Sequence, residues 1–182
     1  MTVGVETQES VRRLSPRASG ATAFLATLIA FVVIAAEGVG ARGLIYAFTA
    51  AALVVLSAID INRRLLPDVI VLPSTALILA AQLLYFPEDW LEWVGASAGA
   101  ALLFWVIHLV NRSGLGMGDV KLAGLLGAAL GLDVVPALFL GSLAAALYGL
   151  ALVVRHGTSA RKRTLPLGPF LALGAIVVLL FG

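Results

Sequence analysis

Uninterrupted apolar stretches recur along almost the whole of this 182-residue chain, from about Ala21 to the C-terminus. A helix needs about 20 apolar residues to cross the roughly 30 Å hydrocarbon core, and it must satisfy its own backbone groups because lipid offers them no hydrogen-bond partner. Only 12% of the residues are charged and the mean hydropathy is +1.06, whereas a soluble domain carries about 25% charged residues. The sequence therefore predicts an all-α, polytopic membrane helix bundle and excludes a water-soluble fold.

Seven apolar segments can be delimited, which predicts about six to seven transmembrane helices. They cover residues 21–38, 42–60, 68–86, 91–111, 119–131, 134–154 and 165–181. The fifth segment has only 13 residues and reaches about 20 Å at 1.5 Å per residue, which is short of the hydrocarbon core. Three explanations stay open for it: its N-terminal end lies in a wetted cavity, it includes the glycine-rich stretch before it, or it is re-entrant.

The positions of Lys and Arg predict how the bundle is oriented. If the N-terminus is cytoplasmic, eleven of the twelve basic residues fall in cytoplasmic segments and only Arg42 falls outside, as the positive-inside rule requires. Residues 1–20 then form a cytoplasmic N-terminal tail, and residues 21–182 form a single membrane domain. Residues 21–36 lack a small-residue cleavage site in a polar flank, so we expect a retained first helix rather than a signal peptide.

The residue types present exclude several kinds of chemistry. The chain has no cysteine, so disulfides, thiolate metal sites and a cysteine nucleophile are excluded. Two histidines, His108 and His156, are too few for a histidine metal cluster. The two-aspartate chemistry described below needs neither a metal nor an organic cofactor, and we expect no nucleic-acid partner. The lipid bilayer is the partner that the composition implies, and the oligomeric state stays undefined.

Two aspartates stand at the edges of apolar segments. Asp60 ends the second segment, and Asp119 opens the fifth after glycines at positions 114, 116 and 118. An acidic side chain there is costly unless it caps a helix, forms a pair or faces water, so both are candidate functional residues. Both are expected at cytoplasmic helix ends, where packing of the two helices would bring the carboxylates together. Such a pair can share one proton, so that one carboxylate activates a water and the other polarises a scissile carbonyl.

Structural roles stay open for the same residues. Asp119 is a good N-cap for a helix, and Asp60 could be a solvated helix end near Arg63 and Arg64. The glycines before Asp119 could form a flexible loop, or they could leave room for an extended peptide to approach the acid. His108 is expected to be a packing or hydrogen-bonded residue, and a catalytic role is its less favoured alternative.

Three segments of the chain resemble those of one family. Residues 60–68 (DINRRLLPD) resemble the segment around the first catalytic aspartate of bacterial type IV prepilin peptidases, which are aspartic leader peptidases of the GxGD class. Residues 116–122 (GMGDVKL) resemble the segment around their second aspartate, and residues 166–175 (PLGPFLALGA) resemble the Pro-Phe-Gly-Pro stretch of a late helix. The resemblance covers roughly residues 42–182, and three segments in the family's order are more specific than any one of them.

The resemblance implies that Asp60 and Asp119 are the catalytic pair and that Gly116 and Gly118 are the motif glycines. It implies a membrane aspartic endopeptidase, without metal or cofactor, that cleaves the short basic leader of type IV prepilin or pseudopilin precursors used in pili or type II secretion. The site would face the cytoplasm, in the bacterial inner membrane. Longer family members carry an insertion with Cys-x-x-Cys motifs and also N-methylate the product. This chain has no cysteine, so it resembles the compact members, and methyltransferase activity is in doubt.

Two charged residues beside the motifs are expected to shape the site. Asp68 follows Pro67 and is expected to cap the third helix, and contact with the basic leader of the substrate is a further hypothesis. Lys121 lies about 200° around the helix from Asp119, so a salt bridge between these two is not expected. Contact with lipid phosphates is an alternative role for Lys121.

Glycines spaced four residues apart occur in two of the apolar segments. Gly95 with Gly99, and Gly127 with Gly131, are expected to form helix-packing faces.

Two functions of other classes compete with the peptidase. In a proton-coupled carrier, buried acids relay ions, but such acids would lie near mid-membrane, in interrupted helices of matching halves. The acids here lie at the segment ends instead, and the two halves show no evident symmetry. A third hypothesis is a scaffold without catalytic activity in a pilus or secretion assembly. The presence of both motif aspartates argues against this hypothesis.

Overall fold

The computed structural model describes residues 16–112, 114–156 and 166–181. Within these ranges the chain forms seven α-helices, two single-turn 3-10 segments and no strand, so the expected all-α membrane bundle is confirmed. The helices in chain order are α1 (Pro16–Glu37), α2 (Ala41–Arg63), α3 (Asp68–Tyr85), α4 (Trp90–Val110), α5 (Met117–Leu130), α6 (Val134–His156) and α7 (Gly168–Phe181).

The helices coincide with the seven apolar segments to within a few residues. α1 begins at Pro16, inside the expected tail, and α7 begins at Gly168, slightly later than its apolar segment. Residues 1–15 of that tail lie outside the described residues. By length and composition, five helical segments of the described chain can cross a membrane. One of these five combines α5, the 3-10 turn Gly131–Asp133 and α6, and α7 is a shorter apolar helix.

The short helix α5 lies in the centre of the bundle, in contact with α2, α3, α4 and α7. Residues 122–130 of this helix are all buried, which explains why it is apolar on every side. Its 14 residues extend only about 21 Å. Because other helices cover it, this helix does not need to match the thickness of the bilayer. Its start at Met117 takes in part of the glycine-rich stretch, which was one of the three explanations for the short fifth segment.

Two hydrogen bonds between helices hold α5 in place. Gln82 of α3 is buried and donates from Nε2 to the carbonyl oxygen of Ala129 at 3.1 Å. Ser97 of α4 donates from Oγ to the carbonyl oxygen of Gly124 at 2.9 Å. Hydrogen bonds of this kind contribute about 0.6–2 kcal/mol each between membrane helices. These hydrogen bonds hold α5 in position, and the first turn of α5 carries Asp119.

The two glycine pairs behave differently. A Cβ added at Gly127 would collide with the carbonyl group of Ala96 in α4, so the expected packing role of this glycine is confirmed. Gly131 has a φ of +58°, which suits glycine and turns the chain out of α5. The expectation for Gly95 and Gly99 is wrong within the described chain, because no atom of another described helix lies within 4 Å of a Cβ built at either position. That face of α4 points away from the other described helices.

The two ends of the bundle carry different charged residues. At one end, which we call the aspartate end, α2 finishes and α3, α5 and α7 begin. Contacts there join Asp60 to Gly168 and Asp68 to Lys121. At the opposite end, a cavity of about 120 Å³ is lined by Glu37, Arg42, Tyr46, Leu130, Asp133, Val178 and Leu179. The loops therefore alternate between two faces, as consecutive membrane spans require.

Candidate active site

Asp60 lies near the end of α2 and is buried, with only 5% of its surface exposed. Its Oδ2 accepts a hydrogen bond of 3.0 Å from the backbone N–H of Gly168, the first residue of α7. The first N–H groups of a helix have no partner within that helix, so Asp60 supplies one from another part of the chain. The alternative of a solvated helix end is wrong for Asp60, because the residue is buried and bonded to the start of α7.

Asp119 is the third residue of α5 and is partly buried. Its Oδ2 accepts a hydrogen bond of 3.1 Å from the backbone N–H of Gly116, and its own N–H donates to the carbonyl oxygen of Gly116 at 3.1 Å. Asp119 is therefore not the N-cap residue, as the structural alternative supposed. It occupies the third helical position, and its carboxylate bonds back to the N–H of the N-cap position, which is one half of a capping box. Gly116 occupies that position.

The structure brings the two aspartates to the same end of the bundle. Their helices, α2 and α5, are in contact, with Asp60 near the end of α2 and Asp119 near the start of α5. From the described residues, each carboxylate accepts one hydrogen bond, and both use Oδ2 for a glycine N–H. The Oδ1 atoms are thereby left for a water, a substrate group or a shared proton. No group of three or more His, Asp or Glu side chains that could hold a metal ion occurs in the described ranges.

Three glycines shape this site, each in a different way. A Cβ at Gly168 would lie 2.7 Å from Asp60 Oδ2, and a Cβ at Gly118 would lie 2.9 Å from the Cβ of Leu66. A Cβ at Gly116 would lie 3.3 Å from the Oδ2 of Asp119. Gly118 therefore lets the loop between α2 and α3 pack against the start of α5, and this chain's own Leu66 fills that space. Only Gly116 of the two motif glycines keeps the open surface that an approaching peptide would need.

Sequence reasoning missed Gly168 as a site residue. It recognised residues 166–175 as a family-like segment but assigned no role to any residue in it. The contribution of Gly168 is a backbone N–H together with the absence of a side chain, and it acts on an aspartate 108 positions away. The available signal was a glycine between two prolines at the start of a late apolar segment, which indicates a helix N-terminus.

Lys121 and Asp68 form an ion pair of 2.6 Å that joins α5 to α3 at the aspartate end. The expectation that Lys121 does not pair with Asp119 agrees with this contact, and its contact with lipid phosphates stays a prediction. The expected cap at Asp68 is corrected: Pro67 holds the N-cap position without a side-chain hydrogen bond, and Asp68 is the first helical residue. Its carboxylate faces Lys121 instead. Because 56% of the Asp68 side chain is exposed, such a pair stabilises the fold by at most about 1 kcal/mol.

His108 is hydrogen-bonded, as expected. Its Nδ1 lies 2.7 Å from the carbonyl oxygen of Leu115, in the loop that leads from α4 to α5. A carbonyl oxygen only accepts, so Nδ1 carries the hydrogen. This contact ties the end of α4 to the chain immediately before Gly116.

A helical membrane bundle that holds two acidic side chains together at one end has the architecture expected of a membrane-embedded aspartic peptidase. Residues 47–150 match a family model described as the type IV leader peptidase family. The matched stretch contains Asp60, Asp119 and both motif glycines, and it covers more than half of the chain. The chain therefore belongs to the type IV leader peptidase family.

Curated relatives are named prepilin leader peptidase/N-methyltransferase. The relative from Bacillus subtilis is 33% identical over 131 residues, which are 71% of this chain and 52% of the relative. The relative from Pseudomonas putida is 35% identical over 164 residues, 85% of this chain and 56% of the relative. The relative from Pseudomonas aeruginosa is 37% identical over 138 residues, which are 71% of this chain and 47% of the relative. The chain thus spans about half the length of the curated relatives it matches. No solved structure matches it.

Proposed function

We propose that this protein is a membrane aspartic endopeptidase that removes the short basic leader from type IV prepilin or pseudopilin precursors. Asp60 and Asp119 are its catalytic pair. The observation that carries the proposal is that two aspartates 59 positions apart lie at one end of the bundle, on two helices that contact each other. Family membership and the names of the relatives support the choice of reaction and substrate.

The proposed mechanism uses one proton shared by the two carboxylates, because neighbouring like charges do not both ionise cheaply. The ionised carboxylate takes a proton from a water, and that water adds to the scissile carbonyl carbon. The protonated carboxyl donates a hydrogen bond to the carbonyl oxygen, where negative charge develops. When the tetrahedral intermediate collapses, the C–N bond breaks and the leaving amine takes up the proton that the first carboxylate removed from the water. Gly116 and Gly168 hold the two Oδ2 atoms, which keeps the Oδ1 atoms directed at the reacting groups.

The proposed location of the site is the cytoplasmic face of the bacterial inner membrane, with the N-terminus inside. Basic residues gather at the aspartate end, where Arg63 and Arg64 finish α2, Arg112 follows α4 and Arg155 lies in the last turn of α6. Arg42 lies at the opposite end, beside the cavity. The positive-inside rule favours this orientation, and it orients a substrate with a basic leader in the same way. Scissile bond and carboxylates would then meet at the same depth.

The proposal covers the peptidase step and leaves N-methylation aside. The relatives' names include both activities, but this chain covers about half of their length. The Cys-x-x-Cys motifs of the longer family members have no counterpart in this sequence, because it has no cysteine.

The test is cleavage of a type IV prepilin precursor by the purified protein in liposomes, followed as a leader-sized change in gel mobility. Asp60→Asn and Asp119→Asn should each abolish cleavage and leave membrane insertion intact. Asp133→Asn is the matched control, because it removes a carboxylate at the opposite end of the bundle. If the unmodified protein does not cleave the precursor, the result favours the hypothesis of a carrier or of a scaffold. Full activity of either aspartate variant would refute the catalytic pair.

A further inference from the structure

A single peptide group connects His108 with Asp119. The carbonyl oxygen of Leu115 lies 2.7 Å from His108 Nδ1, and the N–H of Gly116 donates to Asp119 Oδ2 at 3.1 Å. These two atoms belong to the same peptide group, between Leu115 and Gly116. In a trans peptide the C=O and N–H bonds point in opposite directions, so His108 lies on one side of this plane and Asp119 on the other.

This arrangement forms a directed chain of hydrogen bonds. His108 Nδ1–H donates to the carbonyl, and the N–H of the same peptide donates to the carboxylate. Donation to the carbonyl polarises the peptide and strengthens its N–H as a donor, because successive hydrogen bonds in a chain polarise one another. The effect at Asp119 is twofold: Oδ2 is held in one orientation, and negative charge on the carboxylate is stabilised.

The loop around this peptide is built closely onto the end of α4. The N–H groups of Gly114 and Leu115 donate to the carbonyl oxygen of Asn111 at 3.1 Å and 3.2 Å, and the Leu115 side chain is buried. A Cβ at Gly114 would lie 2.9 Å from the Asn111 side-chain carbon Cγ, so the turn is compact. With the loop fixed on this side, the orientation of the peptide group between Leu115 and Gly116 depends on which group contacts its carbonyl oxygen. His108 provides that contact.

We propose that His108 is a positioning residue for the Asp119 carboxylate and acts through the peptide group between Leu115 and Gly116. This inference rests on the proposed peptidase function. The described contact of His108 is with the loop, through Nδ1, and it reaches Asp119 through the peptide group, so the role assigned to it here is positioning rather than general-base catalysis. Loss of the donor lowers kcat and leaves KM unchanged, since substrate binding is not altered.

Three substitutions at one position separate the hydrogen bond from the packing. In His108→Asn, the side-chain amide nitrogen is attached to Cγ as Nδ1 is, so the donor is kept. In His108→Gln the amide is displaced by one carbon, and in His108→Leu the donor is removed. With a prepilin precursor as substrate, we expect kcat to fall about tenfold for the leucine and glutamine variants, equivalent to about 1.4 kcal/mol, and to stay within about threefold for the asparagine variant.

A second measurement reads the same hydrogen bond without activity. The chain contains six Leu–Gly pairs, so labelling with ¹³C-carbonyl leucine and ¹⁵N-glycine yields six selected amide signals, among them those of Gly116 and Gly168. The Gly116 signal is assigned by its disappearance in Leu115→Ile. In His108→Leu its proton shift should move upfield as the hydrogen bond to Asp119 weakens, and in His108→Asn it should be restored. The Gly168 signal, which reports on Asp60, should not move.

The outcomes distinguish this inference from the proposed function. If the unmodified protein cleaves and both aspartates are needed, an unchanged kcat in His108→Gln, or an asparagine variant as slow as the glutamine one, overturns the role of His108. A loss confined to KM, or an unmoved Gly116 signal, also overturns it. If the unmodified protein cleaves nothing while the Gly116 signal responds as described, the proposed function fails and the coupling stands. Should the leucine variant not fold, the asparagine and glutamine pair decides.

Discussion

Gly168→Ala is the sharpest test of how the site is built, because it adds one methyl group beside a buried carboxylate. The new Cβ would lie 2.7 Å from Asp60 Oδ2 and 3.3 Å from Asp60 Cγ. Carbon atoms make ordinary contacts at about 3.5–4.0 Å, so the carboxylate or the start of α7 must move by roughly 0.5–1 Å. That movement lengthens or breaks the 3.0 Å hydrogen bond from the Gly168 N–H.

The expected loss can be estimated from this hydrogen bond. Hydrogen bonds to charged groups contribute about 1.5–3 kcal/mol, and displacement of a catalytic group by about 1 Å can reduce the rate about a hundredfold. We therefore expect kcat of Gly168→Ala to fall about ten- to hundredfold. The cause is a misplaced Asp60, and so the protein should still insert and remain folded.

The assay is the initial rate of leader removal in liposomes, with thermal unfolding measured on the same preparation. Gly99→Ala is the matched control, because no atom of another described helix lies within 4 Å of its added Cβ. The control should keep its rate within about twofold, since alanine also favours the helix by about 1 kcal/mol. A Gly168→Ala protein with the unmodified rate would refute the argument that this glycine holds Asp60.

The other contacts at the aspartate end lead to further predictions. Gly118→Ala brings a methyl group to 2.9 Å from Leu66 Cβ, so thermal stability and cleavage rate should fall, and Leu66→Gly should partly restore both; losses that simply add would contradict the contact. Gly116→Ala should reduce the cleavage rate less than Gly118→Ala does, because its Cβ would lie 3.3 Å from the Asp119 carboxylate, which can move. The opposite order of cleavage rates would contradict this geometry. Asp68→Asn should change the free energy of unfolding by less than about 1 kcal/mol, since the pair with Lys121 is exposed. If Asp68 contacts the basic leader, Asp68→Asn should also reduce the preference for basic over neutral leaders, and unchanged relative rates would exclude that role.

The helix positions could be predicted from hydropathy, because each membrane span needs a long apolar run bounded by polar residues. The central place of α5 could not. Burial in lipid and burial in protein favour the same apolar residues. The sequence of residues 122–130 therefore differs from that of a lipid-facing helix only in its short length. The error at Gly95 and Gly99 has a related cause. Spacing of four places two glycines on one face of a helix, but it does not indicate which neighbour that face meets.

At the candidate site, the sequence identified acidic residues because an acidic side chain is energetically unfavourable at the edge of an apolar segment. Asp60 and Asp119 stand out because an acid at the edge of an apolar run needs a reason to be there. Gly168 did not stand out, because its role depends on a contact that only the folded chain creates. The pairing of Asp68 with Lys121, 53 positions apart, overrode a capping expectation drawn from neighbouring residues alone. Local rules therefore identified the acids, and tertiary packing determined what holds them.

The measurement that most directly tests joint action of the two aspartates is the cleavage rate of Asp60→Asn, Asp119→Asn and the double variant in one liposome assay. Residues that act as a unit show strongly non-additive losses, so each single variant should lose at least roughly a thousandfold, and the double variant should be no slower than the single ones. A single variant that keeps most of its rate, or a double variant slower by the product of both losses, would contradict the account.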